Sequence, residues 1–79
     1  MNNIDYIHNR LREGREVYLK DDFYGIALRL VPGEDGATRF FRRQRGDGRE
    51  EPVSPTNTTF VKIQFSGVFI TEEEYQSYR

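Results

Sequence analysis

Guanidinium groups and phenyl rings interleave in one short stretch of this 79-residue chain. Ala37 to Arg49 reads Ala-Thr-Arg-Phe-Phe-Arg-Arg-Gln-Arg-Gly-Asp-Gly-Arg and holds five of the ten arginines. An arginine offers five donors in a planar fork that can grip a carboxylate or a phosphate at two points. A phenyl ring beside it can stack on a nucleobase or anchor in a protein pocket. Side chains alternate along an extended strand, so Arg39, Phe41, Arg43 and Arg45 share one face. Thr38, Phe40, Arg42 and Gln44 share the other. One of Phe40 and Phe41 must face the core, which leaves the other at least partly exposed. The pattern alone does not say which. Arg39, Phe41, Arg42, Arg43, Arg45 and Arg49 are the candidate partner-binding residues.

A second charged cluster, Glu72, Glu73 and Glu74, is a candidate acidic patch, with Glu50 and Glu51 as further members. An acidic helix can imitate a row of phosphates, although favourable charge at a helix N-terminus accounts for the same residues. The bland reading of the arginines is a solvated cover over a sheet edge.

Other chemistry has little material. His8 is the one histidine and there is no cysteine, so neither a thiolate nor a His cluster with metal-ligand spacing is available. Asp21-Asp22 and Glu34-Asp35 are adjacent acids in turns and lack the alternating oxygen ligands of a calcium loop. Pro32-Gly33-Glu34-Asp35-Gly36 lacks the glycine spacing and Lys-Ser/Thr ending of a phosphate loop. The expectation is a protein without catalysis, cofactor or metal.

The formal net charge is −1, with 32% charged residues. A general nucleic-acid binder would show a clear positive excess. The mean hides a polarity: Gly36 to Arg49 carries five arginines against one aspartate, and Thr71 to Arg79 three glutamates against one arginine. Polarised surfaces steer partners. The longest apolar runs are three residues, as in Val68-Phe69-Ile70, so no membrane span is expected. With no secretion signal visible either, the expected location is the cytoplasm.

One small domain, residues 1–79, must position these groups. Asn2 and Asn3 suit a helix N-cap. Ile4, Ile7 and Leu11 then fall on one face and Gly14 suits the exit, predicting a helix from Asn3 to Glu13. Glu16 to Lys20 reads as a short strand. Tyr24, Ile26, Leu28 and Leu30 alternate with Gly25, Ala27, Arg29 and Val31, the clearest strand pattern in the chain. Pro32 to Gly36 turns that strand into the arginine strand, and Gly46-Asp47-Gly48 turns it again toward Glu50 to Val53. Thr58 to Phe65 is rich in β-branched and aromatic residues and is read as a strand, with a helix as the alternative. Thr71 to Glu74 is a capping box that opens a helix from Glu72 to about Tyr78. The predicted class is α+β: a small antiparallel sheet of three to five strands, an N-terminal helix on one face and a short C-terminal helix over an end or edge.

This layout of a short N-terminal helix, two or three hairpins and a closing Thr71-Glu72-Glu73-Glu74-Tyr75 resembles short phage and mobile-element proteins that inhibit host machinery, the anti-CRISPR proteins among them. The resemblance implies a cytoplasmic, non-enzymatic protein that binds a host protein or ribonucleoprotein complex. Direct binding of RNA or single-stranded DNA by the arginine hairpin is the alternative, and a homodimer is open.

Overall fold

A computed structural model describes residues 3–78. The first helix, α1 (Asn3–Arg12), leads into β1 (Val17–Asp21), β2 (Ile26–Pro32), β3 (Thr38–Gln44) and β4 (Glu50–Val53). Then come α2 (Thr58–Ser66), β5 (Val68–Phe69) and α3 (Glu72–Gln76). The five strands form one antiparallel sheet in the order β4-β3-β2-β1-β5. The predicted α+β class holds, with the sheet at the upper end of the expected size.

Alternation divides the sheet into two faces. Val17 and Leu19 of β1 and Leu28 and Leu30 of β2 point to one side, where Ile7 of α1 and Phe60 and Ile63 of α2 cover them. Phe40 and Val53, paired across β3 and β4, extend this core to the sheet edge. Each fully buried Leu or Ile removes enough apolar surface from water to contribute about 1.5–3 kcal/mol. The second face carries Tyr18, Ala27, Arg29, Phe41 and Arg43, and α3 covers part of it through Tyr75, which is fully buried. The C-terminal helix therefore lies on the sheet face opposite α1, not merely over an end.

Thr58–Ser66 is a helix, which corrects the strand reading of Thr58 to Phe65. The signal that decides it lies just outside the segment. The Asn57 side chain accepts a hydrogen bond from the Thr59 amide at 2.9 Å, the N-cap geometry that satisfies an orphan donor. Gly67 closes the helix by donating its N–H to Ile63 O at 2.7 Å. Phe60 and Ile63, three apart, are the buried pair, whereas Val61 and Phe65 are exposed. Burial of that helical face overrides the β propensity of Thr, Val and Ile.

The remaining differences lie at the ends of elements. The second strand begins at Ile26, because Tyr24 and Gly25 belong to the turn, where Gly25 takes φ of +67°. Asn2 lies outside the described residues. Asn3 is helical, and its Nδ2 donates to Gly67 O at 2.9 Å and Phe65 O at 3.2 Å, tying α1 to the end of α2. The last helix ends at Gln76, with both bonds of the expected Thr71–Glu74 capping box present. Among the described residues no helix is long and apolar enough to cross a membrane.

Candidate functional site

The arginine hairpin is built as read, but its side chains are mostly occupied. Phe40 faces the helix-covered core, so Phe41 is the ring on the second face. The β2–β3 register places Arg29 opposite Phe41, and the guanidinium lies over the ring at 5.3 Å from its centroid. Phe41 is thus half-buried beneath an arginine of β2 and is not an open stacking surface.

The rest of the second face is a chain of hydrogen bonds centred on Arg29. Its Nε donates to Glu16 Oε1 at 2.8 Å and its Nη1 to Glu50 Oε1 at 3.1 Å. The Tyr18 hydroxyl donates to Glu16 at 2.7 Å, and the Tyr75 hydroxyl donates to Glu50 at 2.6 Å. The Arg29 hydrogen bond holds the Glu16 carboxyl below its usual range, with partial burial opposing. Burial and then the Glu16 carboxylate push the Tyr18 hydroxyl up to about 12. Burial and then Glu50 push the Tyr75 hydroxyl up further, and Glu16 first of all holds Arg29 more firmly protonated. Every hydroxyl in this chain is spent on a carboxylate, and both carboxylates are shared with one guanidinium.

Arg43 is drawn into the same arrangement. It lies over the Tyr75 ring at 5.2 Å, donates to the Gly48 carbonyl, and reaches Gln76 Oε1 at 2.9 Å. Its Nε is buried without a partner among the described residues. Arg42 projects to the other face and pairs with Glu51 at 2.9 Å. The remaining hairpin arginines are exposed. Arg45 pairs with Asp22 of the β1–β2 turn at 2.9 Å, and Arg49 pairs with Asp47 at 3.1 Å. Arg39 has no carboxylate partner among the described residues and borders an open groove of about 470 Å³ with Val31, Glu34 and Asp35.

The acidic cluster divides by role. Glu74 closes the capping box, and its hydrogen bond from the Thr71 backbone holds its carboxyl below the usual range. Glu72 and Glu73 are exposed in the first turn of α3. Glu50 does meet α3, through Tyr75, whereas Glu51 lies on the far face with Arg42. His8 is exposed on α1, and among the described residues no three His, Asp or Glu side chains gather as a metal site.

Arg29, Glu16, Tyr18 and Tyr75 were not among the site residues read from the sequence. One signal was present: a charged residue in the middle of the most regular strand must find a counter-charge when that strand becomes central. Phe23 was also missed. It stands in the β1–β2 turn at 88% exposure, beside the paired Asp22 and Arg45. The sequence matches no family model, no curated protein and no solved structure.

Proposed function

We propose that the chain is a non-enzymatic protein-interaction module, of the inhibitor or accessory kind that its resemblance to phage proteins implies. The observation that carries this is the internal pairing of the hairpin arginines. Arg42, Arg45 and Arg49 each hold a carboxylate of the chain, and Arg43 is enclosed by Tyr75, Gly48 and Gln76. A phosphate row approaching this surface would meet Asp22 and Asp47 beside every exposed arginine but Arg39. A protein surface of mixed charge can complement it, and such complementarity sets register and excludes wrong partners. Arginines already held in place also lose less freedom on binding.

The closed hydroxyl–carboxylate–guanidinium chain supports the non-enzymatic part of the reading. Tyrosines pushed upward in pKa stay protonated near neutrality and offer no base, and both carboxylates already accept from a hydroxyl and a guanidinium.

A tagged full chain captured from a cell lysate, with and without nuclease treatment, tests the proposal. The expected result is a stoichiometric protein or ribonucleoprotein partner whose affinity falls at least tenfold with the Arg39→Ala, Arg45→Ala double variant. Recovery of nuclease-sensitive material alone would replace this reading with direct contact to RNA or single-stranded DNA, whose affinity would fall steeply with salt.

A further inference from the structure

We propose that Asp35-Gly36, in the turn between β2 and β3, is a self-modification site: the Asp35 carboxyl closes on the Gly36 nitrogen to a succinimide, which water opens to isoaspartate. The proposal needs no partner and stands apart from the protein-binding reading.

The step is a dehydration within one pair of residues. The Gly36 nitrogen attacks the protonated Asp35 carboxyl at Cγ. An N–Cγ bond forms, a Cγ–O bond breaks, and the hydroxyl leaves with the amide proton as water. Water then adds to the five-membered ring. Attack at Cγ restores aspartate. Attack at the Asp35 carbonyl carbon leaves the chain running through Cβ and Cγ. Nothing is oxidised or reduced, and water is the one co-reactant. Glycine favours the closure because a Cβ on the attacking residue would crowd the ring. The chain has two such pairs, Asp35-Gly36 and Asp47-Gly48, and no Asn-Gly.

The two pairs differ in structure, and the difference selects Asp35. Both aspartates are exposed in turns, with φ of +84° at Gly36 and +78° at Gly48. Both glycine amides donate to a turn carbonyl, Gly36 to Gly33 O at 3.1 Å and Gly48 to Gln44 O at 3.3 Å. The attacking nitrogen therefore does not separate the sites. The carboxyls do. The Ala37 amide donates to Asp35 Oδ1 at 3.0 Å. That bond spans the Gly36 peptide and holds Cγ beside the Gly36 nitrogen, the proximity that ring closure needs. The same oxygen is folded over the turn, 2.9 Å from where a Cβ on Gly33 would stand. Arg39 borders the same groove as Asp35 without pairing with it. Asp47 instead gives its Oδ1 to Arg49 Nε at 3.1 Å, a contact that must break before its carboxyl can turn to Gly48.

Isoaspartate at position 35 would put one more carbon into the backbone of the turn and move the free carboxylate onto Cα. The change would fall where β3 begins, on the rim of the groove that Arg39 borders.

The test incubates the purified full chain in warm, mildly acidic buffer, folded and in urea, and follows both aspartates by peptide mapping. Loss of one water marks the succinimide, and resistance to an endoproteinase that cleaves before aspartate marks isoaspartate. In the folded chain Asp35 should convert at least about threefold faster than Asp47, the effect of one exposed polar contact on a rate. In urea the turn contacts are gone, and the two rates should come within about twofold of each other. Arg49→Ala, checked as folded by circular dichroism, should raise the Asp47 rate about two- to fivefold and leave the Asp35 rate unchanged. No conversion at Asp35 in the folded chain, or a folded Asp47 rate equal to or above it, would overturn the proposal. So would a ratio that stays the same in urea, or an Asp47 rate unmoved by Arg49→Ala.

Discussion

Arg29 stands directly across the β2–β3 ladder from Phe41, its guanidinium 5.3 Å from the ring centroid while its nitrogens hold Glu16 and Glu50. One side chain therefore pairs with two carboxylates and covers one ring. The second face of the sheet is organised around it, and Arg43 of the hairpin joins that face over Tyr75.

Replacing Arg29 with alanine should be among the most damaging changes outside the apolar core. It would leave Glu16 and Glu50 without their shared counter-charge and uncover Phe41. Each charge-assisted hydrogen bond contributes about 1.5–3 kcal/mol, so a loss of about 2 kcal/mol is expected after relaxation and solvent access. Urea unfolding measures it. Arg39→Ala, with no carboxylate partner, should stay within about 0.5 kcal/mol of wild type.

Stability should decline toward both ends of the pH scale. The Glu16 carboxyl lies below its ordinary 4.5 in the folded chain, so its contribution is present above that value. It disappears as pH falls through the lower folded value. Tyr18 runs the other way. Its hydroxyl rises from 10.0 to about 12, so its contribution is complete below pH 10 and is lost as pH rises toward 12. Tyr75 acts in the same direction. In an alkaline titration followed by phenolate absorbance, Tyr18 and Tyr75 should ionise above the ordinary tyrosine range or only on unfolding. A Tyr18→Phe chain should show a shallower alkaline decline.

The caps of α2 and α3 should be measurable separately. Asn57→Ala removes the acceptor for the Thr59 amide, and Thr71→Ala removes one bond of the capping box. Each should lower stability by about 1 kcal/mol. Asn57→Ala should also reduce helical circular dichroism, since α2 has nine residues and no acidic first turn to support it.

Gly67→Ala should be worse than Gly14→Ala although only Gly14 has positive φ. A Cβ at position 67 would lie 2.6 Å from Ile63 O and 3.0 Å from Lys20 O. Both atoms are backbone, and moving either breaks the α2–β5 junction. Overpacking of this kind costs about 1–3 kcal/mol. Gly14 has open space around it, so alanine there meets only the smaller left-handed strain. Thermal midpoints of the two chains give the order.

What could be read in advance followed from short-range rules. The alternation of β2, the glycine turns and the Thr71–Glu74 box each depend on residues within a few positions, and each is present. Thr58–Ser66 failed because its residue types favour a strand while its burial favours a helix; only the core, by taking Phe60 and Ile63 together, breaks the tie. The hairpin arginines were located correctly, but their freedom was not. Glu16 and Glu50 lie 13 and 21 positions from Arg29, and Gln76 lies 33 from Arg43, so their pairings arise only after folding. Which phenylalanine faces outward was likewise settled by β3 lying between β2 and β4, with Phe40 set against Leu30 and Val53.

The strand order has a consequence for assembly. Strands β1 to β4 form a meander in which each pairs with its sequence neighbour, whereas β5 joins the free edge of β1 by setting Phe69 beside Leu19. The lid over Leu19, Leu28 and Leu30 likewise waits for Phe60 and Ile63. Loop-closure entropy makes such distant pairings late ones. The meander is built from local contacts, whereas α2 and β5 supply the distant ones, covering Leu19, Leu28 and Leu30 and pairing two residues of the β1 edge.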